Sequence, residues 1–212
     1  MNFSIFISLE IAYLIGAIPF SVLIGKFFFG KDVRKFGSGN AGATNSIRVL
    51  GKRAGIIVLL LDVAKGMVAV SLSYYFGNIS LINEKFILYQ FALGLAAAIG
   101  HIYPVYLWFK GGKGVATFFG VIVAVFPQIA IVCAFVFFIA FLLTKYVSLS
   151  SIIASIAFSL SVLFFYTDLP IQNRLFTIFI PLLIIYTHRE NIKRLINKEE
   201  NKFSFKKNNS NQ

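Results

Sequence analysis

The sequence predicts an all-α integral membrane protein with about seven transmembrane helices, and three observations lead to this prediction. The 212 residues are 58% hydrophobic and only 13% charged, whereas soluble domains are about half apolar and about a quarter charged. Apolar runs of spanning or near-spanning length recur along the chain. The loops between these runs alternate between basic and nearly neutral.

The apolar runs give the order of the predicted helices. Several runs fall short of the about 20 residues that a spanning helix needs, so the number of spans is predicted only as about seven. The first run lacks a basic leader and is long enough to span, which predicts a retained helix rather than a cleaved signal. At "FPQ" (126–128) two alternatives stay open, namely two helices or one long kinked helix. The runs are 3–29, 54–76, 86–109, 115–127, 128–144, 149–167 and 173–187.

The charges of the loops predict the orientation of the helices. The loop "GNISLINEK" (77–85) carries one Lys and one Glu, and basic loops alternate with such nearly neutral ones. Since cytoplasmic loops are enriched in Lys and Arg, the N-terminus is predicted outside and the C-terminus in the cytoplasm. Between the first and second runs lie six basic residues against Asp32 alone, namely Lys31, Arg34, Lys35, Arg48, Lys52 and Arg53.

The same bias explains the net charge of +12. Motifs that read or stack on nucleic-acid bases are missing, so nucleic acid is not an expected partner.

The length of the chain suits one compact bundle of helices. Residues 1–200 are predicted to form a single transmembrane domain, and the polar residues 201–212 a disordered tail near anionic lipid headgroups.

Most polar residues fall in three segments on the predicted cytoplasmic side. These segments are "GSGNAGATNSIRVLGKR" (37–53), "GHIYPVYLWFKGGKGVAT" (100–117) and "HRENIKRL" (188–195). Because the connecting helices are short, the three segments lie at the same membrane level, and we expect them to form one site. No group of His, Cys, Asp and Glu has the spacing of metal ligands, so neither a metal nor another cofactor is expected.

The first segment has the composition of an anion-binding loop. Glycines let backbone N–H groups curl around an anion, small polar side chains add donors, and Arg48 offers a two-pronged donor suited to phosphate. An ordinary loop rich in Gly and Asn is the alternative. The candidate catalytic or substrate-binding residues here are Ser38, Gly39, Asn40, Thr44, Asn45 and Arg48.

The second segment contains a cationic glycine turn, "KGGKG" (110–114). It departs from the P-loop pattern because Lys113 is followed by Gly114. Lys113 lies inside the turn and is the candidate phosphate ligand, whereas Lys110 beside Trp108 is expected to reach the membrane interface. The alternative for Lys113 is a loop charge without a ligand. Further candidate contacts are Gly111, Gly112, Gly114 and Thr117.

The third segment places an imidazole, an amide and a guanidinium on one helical face. His188, Asn191 and Arg194 follow one another at intervals of three residues. A functional and a structural interpretation are equally open for His188, whereas His101 is expected to be structural. The serines of "YVSLSS" (146–151), which are Ser148, Ser150 and Ser151, begin an apolar run on the same side and can add hydroxyl groups.

Charged residues also fall inside the predicted helices. Asp62 and Lys65 are three residues apart, so they can pair on one helical face, and an unpaired charge would be costly in lipid. A buried ion pair that holds the bundle together is the default interpretation, and lining the site is the alternative. Glu10 in the first run also needs a polar partner, which the sequence does not identify.

In order and spacing, the three polar segments resemble the acyl-phosphate-dependent glycerol-3-phosphate acyltransferases of bacteria, the PlsY family. The resemblance covers nearly the whole chain apart from about the last dozen residues. It implies a seven-helix, multi-pass enzyme of the bacterial inner membrane with its active site on the cytoplasmic face. The implied reaction moves a fatty acyl group from acyl phosphate to the 1-hydroxyl of sn-glycerol 3-phosphate. Its products are lysophosphatidic acid and phosphate, and it is the first step of phospholipid synthesis.

The resemblance also implies residue roles and partners. The implied partners are acyl phosphate, glycerol 3-phosphate, membrane lipids and a soluble enzyme that supplies acyl phosphate. The alternative from another class is a membrane transporter of a phosphorylated metabolite. A transporter needs polar residues along a path through the bilayer, and the outward half is predicted to be nearly devoid of them. The implied catalytic residues are Ser38, Arg48, Lys113, His188 and Asn191, with Ser151 and Arg194 as further substrate contacts.

The proton transfer that such a reaction needs leads to a hypothesis on mechanism. His188 is the candidate base, with an ordinary pKa of about 6.5, but cations from all three segments would oppose its protonation. The phosphate of the acyl donor is itself basic, so we hypothesise substrate-assisted proton transfer without a covalent acyl-enzyme. His188 and Asn191 would then position the acceptor, and Ser38 would donate to phosphate rather than act as a nucleophile.

Overall fold

The computed structural model describes residues 3–77 and 84–203. All regular structure in these two ranges is helical, and two 3-10 helices, Val33–Lys35 and Val105–Leu107, supplement the α-helices. The α-helices of the described ranges are α1 (Phe3–Ala17), α2 (Phe20–Phe29), α3 (Ala43–Leu50), α4 (Lys52–Phe76), α5 (Glu84–Ile102), α6 (Val115–Val125), α7 (Pro127–Thr144), α8 (Val147–Phe165), α9 (Ile171–Phe176), α10 (Phe179–Thr187) and α11 (Arg189–Ile196).

The apolar helices confirm the prediction of an all-α membrane protein. Two shorter apolar segments, Val115–Val125 and Ile171–Thr187, accompany the longer ones. Together they coincide with the seven apolar runs of the sequence. The orientation and the number of helices that cross the whole bilayer stay predictions. Five segments in the described residues are long and apolar enough to span a membrane, namely Phe3–Phe29, Lys52–Phe76, Lys85–Leu107, Pro127–Thr144 and Val147–Phe165.

Prolines divide two of the apolar runs. Pro19 separates α1 from α2, because a proline within a helix removes a backbone hydrogen bond. Between α6 and α7 the chain turns at Phe126, and Pro127 occupies the first position of α7, where the missing N–H costs nothing. Of the two alternatives at 126–128, the structure therefore has two helices.

Glycines allow α4 and α6 to pack with their backbones in contact. A Cβ added at Gly66 would overlap the carbonyl oxygen of Thr117, and a Cβ added at Gly120 would overlap that of Val63. Small residues that bring backbones together are the usual means of helix association in membranes. Helix α6 is thus fixed against α4 along its length, and its first turn lies beside the polar segments.

Three aromatic rings form the centre of the apolar core. Phe91 of α5 lies 5.7 Å from Phe126 and 6.3 Å from Phe158 of α8, measured between ring centroids. All three side chains are at most 3% exposed. The core therefore joins α5 to α8 through the junction of α6 and α7.

A buried ion pair confirms the default interpretation of Asp62 and Lys65. The Nζ of Lys65 lies 2.8 Å from Oδ1 of Asp62, and these residues are 4% and 2% exposed. Lys65 also donates to the carbonyl oxygen of Ile18, at 3.2 Å, where the chain breaks between α1 and α2. Glu10, by contrast, lies exposed on α1, and its need for a polar partner stays a prediction.

The chain after α11 continues in contact with the bundle. The backbone N–H of Phe203 donates to the carbonyl oxygen of Lys145 at 2.8 Å, and the Phe203 ring lies 5.6 Å from that of Phe141. The first residues of the predicted tail, 201–203, therefore dock between α7 and α8. Residues 204–212 lie outside the described ranges, and their disorder stays a prediction.

We expect Gly66→Ala to lower the melting temperature of the detergent-solubilised protein by about 5 °C. The added methyl group would force α4 away from α6, and overpacking of this kind costs about 2 kcal/mol. Ala64→Val is the matched control, because Ala64 lies exposed on the same helix. Equal melting temperatures for Gly66→Ala and the wild type would contradict the close packing of the two helices.

Candidate active site

The Asn45 side chain organises the loop that precedes α3. Its Oδ1 accepts from the backbone N–H of Ser38 at 2.9 Å, and its Nδ2 donates to the carbonyl oxygens of Val33, Phe36 and Asn40 at 2.8, 3.2 and 3.0 Å. Asn45 is only 2% exposed. The amide is thus used within the loop, where Asn45 positions Ser38, and its contact with substrate stays a prediction.

Ser38 lies at the exposed crest of this loop. It stands between Gly37 and Gly39, whose φ angles of 61° and 72° are left-handed and favour glycine. The Ser38 hydroxyl forms no hydrogen bond with the described part of the chain, so it is available to a ligand. Asn40 and Thr44 lie partly exposed in the loop and in the first turn of α3.

The glycine turn packs against the end of α5. The backbone N–H groups of Gly111 and Gly112 donate to the carbonyl oxygens of Ile102 and His101 at 3.1 and 3.0 Å. A Cβ at Gly112 would overlap Nε2 of His101. Since the last carbonyls of a helix need donors, these two N–H groups cap α5, and the contacts of Gly111 and Gly112 with substrate stay a prediction.

Thr117 also belongs to the buried interior rather than to a substrate pocket. It is fully buried, and its Oγ1 lies 3.2 Å from Nδ1 of His101. The predicted substrate contact of Thr117 stays a prediction. The structural role expected for His101 is consistent with this contact and with its 3.6 Å distance to Asp62. Gly114, with φ of 81°, precedes α6 without a side-chain cap, so the first N–H groups of α6 remain available.

Lys113 is the cation at the centre of the polar cluster. Its Nζ donates to Oδ1 of Asn191, which confirms that the second and third segments meet. Burial lowers the pKa of the Lys113 ammonium to about 8, and the positive charges of Arg194 and Arg48 act in the same direction, against the opposing effect of Glu200. Lys113 is thus mostly charged at neutral pH, yet it is surrounded by cations.

Glu200 is the acidic group of this cluster, and the sequence reasoning missed it. Its Oε1 accepts from Ser148 at 2.6 Å and from Asn191 at 2.7 Å, while Oε2 accepts from Nε of Arg194 at 2.8 Å. Burial raises the pKa of the carboxyl, but these hydrogen bonds outweigh it and hold the pKa below its ordinary value. The only signal in the sequence is an acidic residue shortly after Arg194.

His188 is held in one tautomer at the junction of α10 and α11. Its Nδ1 donates to the carbonyl oxygen of Ile184 at 2.8 Å, which leaves Nε2 unprotonated. Thr187 joins the same junction to the glycine turn, because its hydroxyl donates to the carbonyl oxygen of Lys113 at 3.2 Å. Burial, together with the charge of Lys113, lowers the pKa of His188 to about 4.

The three serines at the start of α8 differ in their contacts. Ser148 reaches the cluster through Glu200. Ser150 and Ser151 donate to the carbonyl oxygens of Tyr146 and Val147, each at 2.8 Å. Ser151 therefore keeps only the lone pairs of its hydroxyl for a further partner, and it has no free proton for a phosphate oxygen.

The assembled site favours anions. Arg48 forms no hydrogen bond or ion pair with residues 3–77 or 84–203, yet its charge acts on Lys113. Arg194 adds a second guanidinium, and no group of three or more metal-ligating side chains occurs among the described residues. Cations that outnumber the nearby carboxylate are suited to phosphate groups.

Buried polar side chains in the other half of the bundle correct one expectation. Ser8 and Tyr89 are hydrogen-bonded at 2.6 Å, and Gln90 donates to Ser73 at 3.3 Å. This half is therefore not nearly devoid of polar groups. Because the bonds join α5 to α1 and to α4, they hold helices together, which does not favour the alternative of a transporter.

Comparisons with known proteins agree with this site. The model of the family "Glycerol-3-phosphate acyltransferase" matches residues 6–198. The chain belongs to this family. It is 49% identical to the glycerol-3-phosphate acyltransferase of Macrococcus caseolyticus, over 94% of this chain and 97% of the relative. It is 46% identical to that of Enterococcus faecalis, over 95% and 93% of the two chains. The resemblance noted in the sequence is confirmed.

Solved structures of glycerol-3-phosphate acyltransferases share the fold. The chain is similar to crystal structures of PlsY, an integral membrane glycerol 3-phosphate acyltransferase. The TM-score is 0.83 at 42% identity for the glycerol 3-phosphate form and 0.80 at 41% for the lysophosphatidic acid form. Each comparison covers 95% of this chain and 96% of the other.

The tautomer of His188 can be measured by ¹⁵N NMR of protein labelled at histidine. With a pKa of about 4, we expect His188 to stay neutral, with its proton on Nδ1, at every pH above about 5. His188→Gln assigns the signal, because His101 is the other histidine of the chain. A protonation midpoint near pH 6.5 would contradict the buried, cation-facing position of the ring.

Proposed function

We propose that this protein transfers a fatty acyl group from acyl phosphate to the 1-hydroxyl of sn-glycerol 3-phosphate, and so forms lysophosphatidic acid and phosphate. The observation that carries the proposal is the chain of contacts from Lys113 through Asn191 and Glu200 to Arg194 at one end of an apolar bundle. The charge of Arg48 also acts on Lys113. Both substrates bear a phosphate group, and one of them bears an apolar chain. Family membership supports glycerol 3-phosphate as the acceptor.

The chemistry of the site supports acyl phosphate as the donor. An acyl phosphate is already activated, so it requires neither a metal nor a strong base, and its phosphate adjoins the carbonyl carbon that is attacked. Arg48 and Lys113 can bind this phosphate and stabilise it as it leaves. Asn45 holds the backbone N–H of Ser38, and the Ser38 hydroxyl adds a neutral donor.

The position of His188 supports substrate-assisted proton transfer. A group with a pKa of about 4 is a weak base, whereas the phosphate of the donor becomes more basic as it leaves as inorganic phosphate. In the proposed step the glycerol hydroxyl oxygen bonds to the carbonyl carbon, the bond from that carbon to the phosphate oxygen breaks, and the hydroxyl proton moves to the phosphate. The Nε2 of His188 and the amide of Asn191 orient the acceptor.

The proposal includes a location. Basic loops on one side of the bundle support an N-terminus outside, a C-terminus in the cytoplasm and a site that faces the cytoplasm of a bacterial cell. Both glycerol 3-phosphate and a soluble enzyme that supplies acyl phosphate would reach such a site from the cytoplasm. The acyl chain would lie in the surrounding membrane lipid.

Arg48→Ala and Lys113→Ala test the proposed reaction. The purified wild type should convert acyl phosphate and labelled glycerol 3-phosphate to lysophosphatidic acid. Each variant should lose at least about tenfold in turnover, because a charge-assisted contact to phosphate contributes about 1.5–3 kcal/mol.

Lys110→Ala is the matched control, since Lys110 lies exposed three residues before Lys113 and should be dispensable. Acyl-CoA offered in place of acyl phosphate tests the donor and should give no product. Equal turnover of Lys113→Ala and Lys110→Ala would assign both lysines to the charge bias of the loop. Product formation from acyl-CoA would refute the proposed donor.

Direct transfer is tested by incubating the enzyme with acyl phosphate in the absence of glycerol 3-phosphate. Intact mass spectrometry should show the unmodified protein, because the mechanism contains no covalent acyl-enzyme. Ser38→Ala should retain part of its turnover, since it loses one donor to phosphate and no nucleophile. An acyl adduct that passes to added glycerol 3-phosphate would refute direct transfer.

A further inference from the structure

Glu200 connects three residues of the polar cluster that lie on two helices. Its two oxygens accept hydrogen bonds from Ser148 of α8 and from Asn191 and Arg194 of α11, all between 2.6 and 2.8 Å. Each of these bonds has a charged acceptor, and such bonds are shorter and stronger than neutral ones. The carboxylate therefore restrains side chains on both helices at once.

The backbone after α11 brings Glu200 into this position. Lys198 adopts a left-handed conformation with φ of 60°, and the N–H groups of Glu199 and Glu200 donate back to the carbonyl oxygen of Arg194 at 2.7 and 3.1 Å. This turn closes α11 and reverses the chain. The docking of Phe203 beside Lys145 holds the segment on its far side.

We propose that Glu200 is a positioning residue of the acyltransferase site, and that its carboxylate orients Asn191 and Arg194 so that Lys113 and the guanidinium can bind phosphate. The proposal rests on the function proposed above. The chain of contacts runs from Glu200 to Nδ2 of Asn191, and from Oδ1 of the same amide to Nζ of Lys113. Because Glu200 accepts from Nδ2, the amide is oriented with its oxygen toward the lysine.

Charge provides a second link between Glu200 and Lys113. The charges that act on the ammonium are those of Arg48 from α3 and of Arg194 and Glu200 from the α11 side. The ring of His188, just before α11, is neutral and is itself influenced by Lys113. Glu200 raises the pKa of Lys113, whereas burial and both arginines lower it. Removal of the carboxylate charge should thus make Lys113 lose its proton at lower pH.

The test compares three variants of the full-length protein in lipid nanodiscs. Glu200→Gln keeps the size of the side chain and removes the charge, while Glu200→Asp keeps the charge and shortens the reach. Glu199→Gln is the matched control, because Glu199 is the adjacent acidic residue and is exposed. The readouts are kcat, KM for glycerol 3-phosphate, the pH dependence of kcat/KM, the dissociation constant of glycerol 3-phosphate by calorimetry, and the melting temperature.

Glu200→Gln should lower kcat/KM and weaken glycerol 3-phosphate binding by about tenfold. It should also shift the alkaline limb of kcat/KM to lower pH. Glu200→Asp should keep the alkaline limb of the wild type with a partial loss of turnover, and Glu199→Gln should match the wild type throughout. A purely structural role would lower the melting temperature and leave the pH profile unmoved.

Two results would overturn the proposal. In the first, Glu200→Gln has a kcat/KM and a dissociation constant for glycerol 3-phosphate within twofold of those of Glu199→Gln. In the second, Glu200→Gln loses activity, but neither its pH profile nor its dissociation constant changes. If Glu200→Gln fails to fold, Ser148→Ala takes its place, because it removes one donor to the carboxylate and should weaken binding less. If the wild type binds glycerol 3-phosphate but forms no product, the proposed function is refuted. The role of Glu200 is then decided by the dissociation constants of glycerol 3-phosphate for the wild type and the variants.

Discussion

The ion pair of Asp62 and Lys65 is the interaction on which the geometry of the site depends. A charge left alone inside a membrane bundle costs several kcal/mol, so both side chains must find partners. Lys65 does so at the break between α1 and α2, through the carbonyl oxygen of Ile18, and Asp62 lies beside His101 at the end of α5. The pair therefore fixes α4 against the helix ends at which the polar segments begin.

His101 carries this constraint to the glycine turn. Its ring fills the space that a side chain at Gly112 would need, and its carbonyl oxygen accepts from the Gly112 N–H. Thr117, one turn into α6, lies against the other side of the imidazole. Lys113 lies between Gly112 and Thr117 in the chain, and both of these residues contact His101. The position of Lys113 is therefore set by the buried contacts of His101 rather than by flexible glycines.

The sequence predicted which polar segments meet. It predicted less well which groups within these segments contact one another. The spacing of Asp62 and Lys65 was sufficient, because i and i+3 always share a helical face. The composition of "KGGKG" could not show which N–H groups cap α5 and which face a ligand. The contacts of Asn45 within its loop were not predicted for the same reason, since a buried amide and a ligand-binding amide look alike in a sequence. Glu200 was missed because its contacts depend on the turn at Lys198.

The short helices explain why the site is both polar and buried. Helix α6 has 11 residues and is about 16 Å long, well below the about 30 Å thickness of the hydrocarbon core. It is therefore too short to cross that core, and Thr187 ties its polar end to the end of the similarly short α10. Burial among the side chains at this end accounts for the desolvation that lowers the pKa values of Lys113 and His188. In the proposed reaction, such a site would let an acyl chain remain in lipid while its activated end meets a water-soluble acceptor.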